Sequence, residues 1–594
     1  MRALRSAAVL GLIALVAALV PAFSASATHG GDTEVSVGSP DSPFSQNKQN
    51  EPAVAIDPSN PRRVAAGAND NIDMEACNAG DPTDCPFTPD IGGSGIYFSD
   101  DRGDSWVQPT YTGLTARFCL GDPDPTVTDD VCEPEVGPIG TLPNYFENGL
   151  VSDGDPALVF GPRPDGSGSF SWSNGSRLYY ANLTSKLGGA NPRETFKGAE
   201  AIYVSRTDDF ASAVAGDNSA WMDPVRASKQ SSATFADKEQ IWVDQNSTSP
   251  FFGTAYICYA SFTGGGAAPL VVSTSHDGGD TWETDQITPA HNVSPKQWGQ
   301  SGCAIRTDSE GTVYAFWELF QNPEKFLPPQ GRHLLAKSFD GGATWTRGED
   351  IDTITDPCFF VDPVIARCVE DGVAGARNDL SGSPSVDIAS GQPLTGAGAT
   401  DVIVRAWADG SDGLNDEHVY VSWSTDGGTT WSDPVAVEEE LGFPDDRGYY
   451  AAPALSYDGS DLYVVYNAFT TPFRENTSDP RGLVGVVAHA DMTAAGPANW
   501  TLLNRGDEGD PRGSSQNNLQ AGFLGDYVYA DATNGYGVAV WNDVRDAADC
   551  PDMDAWRMAL RTGDTSVPKP APQEDCPPTF GNTDIFGGSY ADPS

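Results

Sequence analysis

The chain has 594 residues, 83 acidic against 34 basic, for a formal charge of −49 at pH 7. That balance excludes nucleic acid and anionic membrane surfaces as partners, since both call for a basic footprint. The charge is spread along the whole chain, which reads as the solubility of an exported protein rather than as one cation-binding block.

The N-terminus reads as an export signal. Arg2 and Arg5 precede an apolar stretch over 7–20, and Ala25-Ser26-Ala27 follows as a small-residue cleavage site. Residues 1–27 are therefore expected to be a signal peptide and 28–48 an N-terminal extension. No Cys follows the cleavage site to take a lipid, and no later segment is apolar for long enough to cross a bilayer. A secreted, extracellular protein is expected, with no membrane insertion. All ten cysteines come after the signal. Proximity pairs Cys77 with Cys85, Cys119 with Cys132, Cys258 with Cys303, Cys358 with Cys368 and Cys550 with Cys576, as an oxidising compartment would allow. There is no C-x-x-C, no H-E-x-x-H and only six His, so cysteine-based and zincin-type metal sites are not expected.

From residue 49 onward, short runs of β-branched and aromatic residues alternate with Gly- and Pro-rich turns, and 64 Gly and 45 Pro recur between them. This is an all-β pattern. Similar apolar openings next to an acidic residue begin at Glu51, Asp155, Glu239, Cys303, Pro384, Pro453 and Asp526. They divide 49–561 into seven units, or six if one is an insertion. Residues 562–594, rich in Pro and Asp, are expected to form a loose terminal tail.

Inside this series the pattern S-x-D-x-G-x-[ST]-W occurs four times, over 99–106, 275–282, 338–345 and 424–431. Each copy sets an Asp (Asp101, Asp277, Asp340, Asp426) five residues before a Trp (Trp106, Trp282, Trp345, Trp431). The Asp carboxylate can bond turn N–H groups, the Gly takes the positive φ of a hairpin turn, and the Trp buries a large ring. A calcium loop of the EF-hand kind is the poorer reading, because its twelve-residue ligand pattern is absent.

The repeat resembles the Asp-box, or BNR repeat, of sialidases and related propellers. The resemblance implies a β-propeller of four-stranded blades, with the box joining outer strands away from the catalytic face. Seven blades are expected, against six in sialidases. Ligands would then meet one mouth of the central channel, where the unit openings and neighbouring loops offer Glu51, Asp155, Asp237, Glu239, Arg377, Arg447, Tyr450, Asp526, Asp543 and Arg545. A sialidase would use three Arg as a carboxylate clamp, a Tyr activated by a Glu, and an Asp as acid and base. Carried over residue by residue, Arg377, Arg447 and Arg545 form the clamp and Tyr450 or Tyr527 attacks. Glu239 or Glu51 is then the base and Asp155 or Asp237 the acid. The F/Y-R-I-P motif that supplies the first clamp Arg is missing, and Gln49-Asn50-Glu51-Pro52 stands in its region. Two functions follow. One is a propeller that binds a glycan or another extracellular surface ligand without catalysis. The other is a glycoside hydrolase, of exo-sialidase type or with paired carboxylates alone. Neither requires a cofactor, and structural calcium at the acidic openings is compatible with both. A monomer is expected.

Overall fold

The computed structural model describes residues 31–593 except 78–84, 86–87, 122–131, 189–195, 264–267, 292–297 and 372–376. The expected signal peptide lies outside these residues. The strands form seven antiparallel blades arranged as a β-propeller. Six blades have four strands; the first has three, and isolated bridges from Phe98 to Val107 and from Gly95 to Thr141 stand along the edge where its fourth would run. The innermost strands are Gln49–Ile56, Leu150–Pro164, Thr234–Val243, Gly299–Thr307, Ser385–Ile388, Arg447–Leu455 and Tyr529–Ala532. Each contacts the innermost strand of both neighbouring blades, and the seventh returns to the first, so the ring is closed. Five of the seven repeated openings begin inside these strands, and those at Pro384 and Asp526 begin one and three residues before theirs.

The apolar residues make one core at each seam between blades. Leu158, Leu178 and Phe98 fill the seam between blades 1 and 2. Val464, Val486 and Val404 fill that between 5 and 6, and Val54, Val538 and Ile585 close the last seam. A blade is buried on both faces, which is why its middle strands are apolar at successive positions: every residue of Asp461–Phe469 is buried. Fourth strands face water, as in Glu283–Gln286.

The four Trp-ended repeats are turns after the third strand of their blades. In each, the Asp accepts from the backbone N–H and the hydroxyl of the residue four places on: Ser105, Thr281, Thr344 and Thr430. The Gly two places after each Asp has positive φ, from 77° to 92°. Trp106 is buried, whereas Trp282, Trp345 and Trp431 are half-buried, because the turns lie at the rim.

The ends of the chain depart from the expected boundaries. Asp584–Ala591 is the third strand of blade 7, paired along Tyr536–Asp543, and Thr33–Glu34 is its fourth strand. The propeller thus takes in residues on both sides of 49–561. Helix Pro551–Thr562 and the short turn Pro572–Asp575 lie between the second and third strands of that blade. Pairing Thr33–Glu34 with Asp584–Ala591 ties the two ends of the described chain into one blade and covers the outer edge of the longer strand.

All five disulfides join the expected partners. Among the described residues no helix is long and apolar enough to cross a membrane. Cys258–Cys303 ties the second strand of blade 3 to the innermost strand of blade 4 across 45 residues. Loop-closure entropy gives such a link about 4 kcal/mol. Replacing both cysteines by Ser is expected to lower unfolding stability by that order, read as a fall in the denaturant midpoint.

Candidate functional site

Five of the seven innermost strands carry a register shift near their first turn of chain. The shifts fall between Asn50 and Ala53, Gly154 and Ala157, Asp237 and Gln240, Ser301 and Ala304, and Tyr449 and Ala451. Each holds one residue at positive φ: Glu51 (56°), Asp155 (51°), Lys238 (59°), Gly302 (64°) and Tyr450 (49°). Only one is glycine. An L-residue in that conformation costs about 1–2 kcal/mol, and such strain concentrates at functional sites. A bulge re-aims its side chain out of the strict alternation of the strand. Repeated around the ring, it gathers polar groups at one mouth of the channel.

There Glu51, Asp155, Lys238, Arg377 and Asp526 form one buried network. Lys238 Nζ lies 2.7 Å from Asp526 Oδ2 and 3.3 Å from Asp155 Oδ2. Arg377 Nη2 lies 3.0 Å from the same Asp526 oxygen and 4.0 Å from Glu51 Oε1, and its Nη1 is 3.3 Å from Asp379. The Arg377 guanidinium also covers the Phe523 ring at 4.7 Å. Burial alone would push the Asp526 carboxyl up; Arg377 and Lys238 outweigh it and hold it at about 2. Burial would likewise lower Lys238, but Asp155 and Asp526 hold its ammonium well above the usual lysine range. Glu51 and Glu239 are pushed well above the carboxylate range by burial and by Asp155.

Beside this network a cavity of about 560 Å³ opens between blades 3 and 4 and the segment that leads into blade 5. Its size suits a small-molecule site. Asp237, Lys238, Arg377 and Asp379 line one part. Phe235 and Phe262 line another, stacked with centroids 5.1 Å apart and planes 14° from parallel. A smaller recess of about 70 Å³ continues into the channel past Lys238, Glu239, Tyr450, Asp526 and Tyr527. Asp237 is half-buried at the cavity wall. Burial pushes its carboxyl up to about 7, with Lys238 opposing and Asp155 and Glu200 adding to the rise. Tyr450 donates its hydroxyl to the Arg377 carbonyl at 3.0 Å and lies against the Glu370 carboxyl. Burial, then Glu370 and Asp526, keep that phenol protonated well above its ordinary range.

The structure therefore brings together Glu51, Asp155, Asp237, Glu239, Arg377, Tyr450, Asp526 and Tyr527 of the residues expected from sequence. It does not assemble the three-arginine clamp. Arg447 is buried against Asp371 at 2.6 Å and Glu417 at 3.6 Å, in a network shared with Arg481. Arg545 pairs with Asp32 and Asp543, both at 2.7 Å, over the Phe586 ring, and so ties the N-terminal segment to blade 7. Asp543 belongs to that structural pair as well. Sequence reading missed Lys238, Asp379 and Glu370. Lys238 was legible as the lone cation in Asp237-Lys238-Glu239. Glu370 lies in the long segment between blades 4 and 5, where no repeat aligns.

No protein-family model matches the chain, and no curated protein matches it in sequence. Solved structures with a similar chain trace include Hadza microbial sialidase Hz136, at 13% identity over 70% of this chain with a TM-score of 0.37. The chain spans 63% of that protein's length. Others are the α-L-arabinofuranosidase Arb93A from Fusarium graminearum (10% identity, 75% of this chain, 98% of that one, TM-score 0.37) and Trypanosoma rangeli sialidase in complex with sialic acid (12%, 84%, 69%, 0.36).

Proposed function

We propose that this propeller is a glycoside hydrolase acting on an uncharged sugar at the channel mouth, with Asp237 as its general acid. The observation that carries the reading is the opposed pair of carboxyls around Lys238. Asp237 is held near 7 at the cavity wall, while Asp526 is held near 2 behind it. Environments that drive neighbouring carboxyls apart mark acid and anion roles. In this reading the stacked Phe235–Phe262 face takes the apolar side of a sugar ring. Asp237 protonates the glycosidic oxygen as the C–O bond breaks, and a water then adds to the anomeric carbon and returns its proton to the Asp237 carboxylate. Lys238 and Arg377 balance the charge of the carboxylates behind them.

An uncharged sugar fits better than an acidic one. Among the described cavity residues, Lys238, Arg367 and Arg377 are all paired with carboxylates, leaving no free cation to clamp a substrate carboxylate. The same complete pairing also suits a face that binds glycan without cleaving it, which is the second reading.

The test is a panel of p-nitrophenyl glycosides and sialosides assayed from pH 4 to 9. Cleavage of a neutral glycoside is expected, with kcat/KM falling as pH rises through about 7. The sign follows from the acid role: Asp237 carries its proton below that value and has lost it above. Cleavage confined to sialosides would overturn the substrate assignment. Saturable glycan binding with no cleavage anywhere on the panel would favour the second reading.

A further inference from the structure

The cavity carries two further carboxyls that no cation neutralises. Glu318, on the second strand of blade 4 across from Ser301, and Asp356, just past the fourth strand of that blade, both line it. Glu318 is fully buried and Asp356 half-buried, and their carboxyls hydrogen-bond each other. Ser383 Oγ donates to Glu318 Oε2 at 3.0 Å. Among the described residues no lysine or arginine pairs with either carboxyl, whereas Asp155 and Asp526 both meet Lys238. We propose that Glu318 and Asp356 read the sugar, holding two of its neighbouring hydroxyls and so selecting a ring on which both are free. The assignment rests on the reading of this cavity as a neutral-sugar site.

Two carboxyls in hydrogen-bond contact, with no cation beside them, cannot both ionise. Burial and then Glu318 push Asp356 well above the carboxylate range, so Asp356 carries the proton and donates it to the Glu318 carboxylate. The pair is one acid bonded to one anion, and the lone pairs it has left are acceptors on two adjoining groups. Neighbouring ring hydroxyls are the matching donors. A ring edge without them would leave those acceptors buried and unpaired, which is the strongest means a site has of rejecting the wrong substrate.

The rest of this wall fits a polar guest. Glu318 Oε1 accepts from no N–H or hydroxyl, and Ser381 Oγ, buried on the same wall, has no hydrogen-bond partner among the described residues. Buried polar groups are ordinarily satisfied, so two such atoms beside one cavity mark a place where a ligand completes the bonding. Glycines make room for the carboxyls. A Cβ at Gly331 would stand 2.5 Å from Glu318 Oε1, and one at Gly382 would meet Asp356 Oδ1 closer still. Neither glycine has a positive φ, so it is space and not backbone shape that excludes a side chain there. Glu318 lies inside an apolar strand run and Asp356 in a loop, so no motif spacing links them.

The probe is the neutral p-nitrophenyl glycoside that the wild-type protein cleaves fastest, together with its mono-deoxy analogues. Removing a hydroxyl that the pair holds is expected to lower kcat/KM by about 100-fold or more, at two neighbouring ring positions. In Asp356→Ala the parent glycoside is expected to fall to within about threefold of those two analogues, whereas a damaged fold would lower all of them together. The intrinsic reactivity of a deoxy sugar cancels when the ratios of the two proteins are compared. Asp356→Asn keeps a donor to Glu318 and is expected to retain the discrimination to within about tenfold, which holds the test open should Asp356→Ala fail to fold. Losses below threefold at every position in wild type, or the wild-type ratio retained in Asp356→Ala, would overturn the assignment. Should no glycoside be cleaved, the same ratios are read by calorimetry as Kd values for methyl gluco-, galacto- and mannopyranosides and their deoxy analogues. Failure of catalysis and failure of this assignment then give different results, and no binding of any of these sugars overturns both.

Discussion

Asp237→Asn is expected to lower kcat/KM on an alkyl or natural glycoside by about 10²–10⁴-fold, the usual worth of a positioned general acid. The loss follows from chemistry that only a protonated carboxyl supplies: the alkoxide of a poor leaving group must receive a proton as the bond breaks. A 2,4-dinitrophenyl glycoside departs without that proton, so the same variant is expected to lose far less on it. The descending limb near pH 7 should vanish too, because the group that titrates there is gone. Equal losses on both substrates would indicate that Asp237 shapes the cavity instead of donating.

Asp526→Ala is expected to cost about 3–5 kcal/mol of folding stability, the usual consequence of removing one partner from a buried ion pair. Asp526 is fully buried and its Oδ2 meets both the Lys238 ammonium and the half-buried Arg377 guanidinium, so its loss leaves two cations short of a counter-charge. The double variant Asp526→Ala/Lys238→Met removes one of those cations and is expected to recover part of the loss. The pH dependence has a definite sign. The folded carboxyl titrates at about 2, below its unfolded value, so its contribution is present above the unfolded pKa and lost as pH falls toward 2. Chemical denaturation at pH 7 and at pH 3 should show a large gap between wild type and Asp526→Ala at the first and a smaller one at the second. A variant within about 0.5 kcal/mol of wild type at pH 7 would contradict the network as drawn.

Much of the fold is legible in the sequence because its physics is local. The openings at Glu51, Asp155 and Glu239 mark innermost strands, since a doubly covered strand needs an apolar run of fixed length. Asp277 and Thr281 mark a turn because the bonds between them span only four residues. The closure of blade 7 is not local. Thr33–Glu34 pairs with Phe586–Gly587 across the whole chain, and Gly587-Gly588 interrupts any alternation that would have marked 584–591 as a strand.

The site is legible by half for the same kind of reason. Asp237 and Asp526 stand out as charged residues at or just before innermost strands, and Arg377 as a charged residue in the loop ahead of one. An arginine at such a place has the same local sequence whether it faces the channel, as Arg377 does, or pairs away from it, as Arg447 and Arg545 do. The bulges hide the rest. A one-residue slip turns Lys238 toward the channel between two acidic neighbours, and a period-two reading assigns it to the wrong face.

The most direct test is a crystal structure of the Asp237→Asn variant with an intact neutral glycoside. The sugar is expected in the cavity beside Phe235 and Phe262, with the side chain at 237 about 2.6–3.2 Å from the glycosidic oxygen. A glycan seated on another face of the propeller, or in the cavity with its glycosidic oxygen turned away from residue 237, would contradict the account.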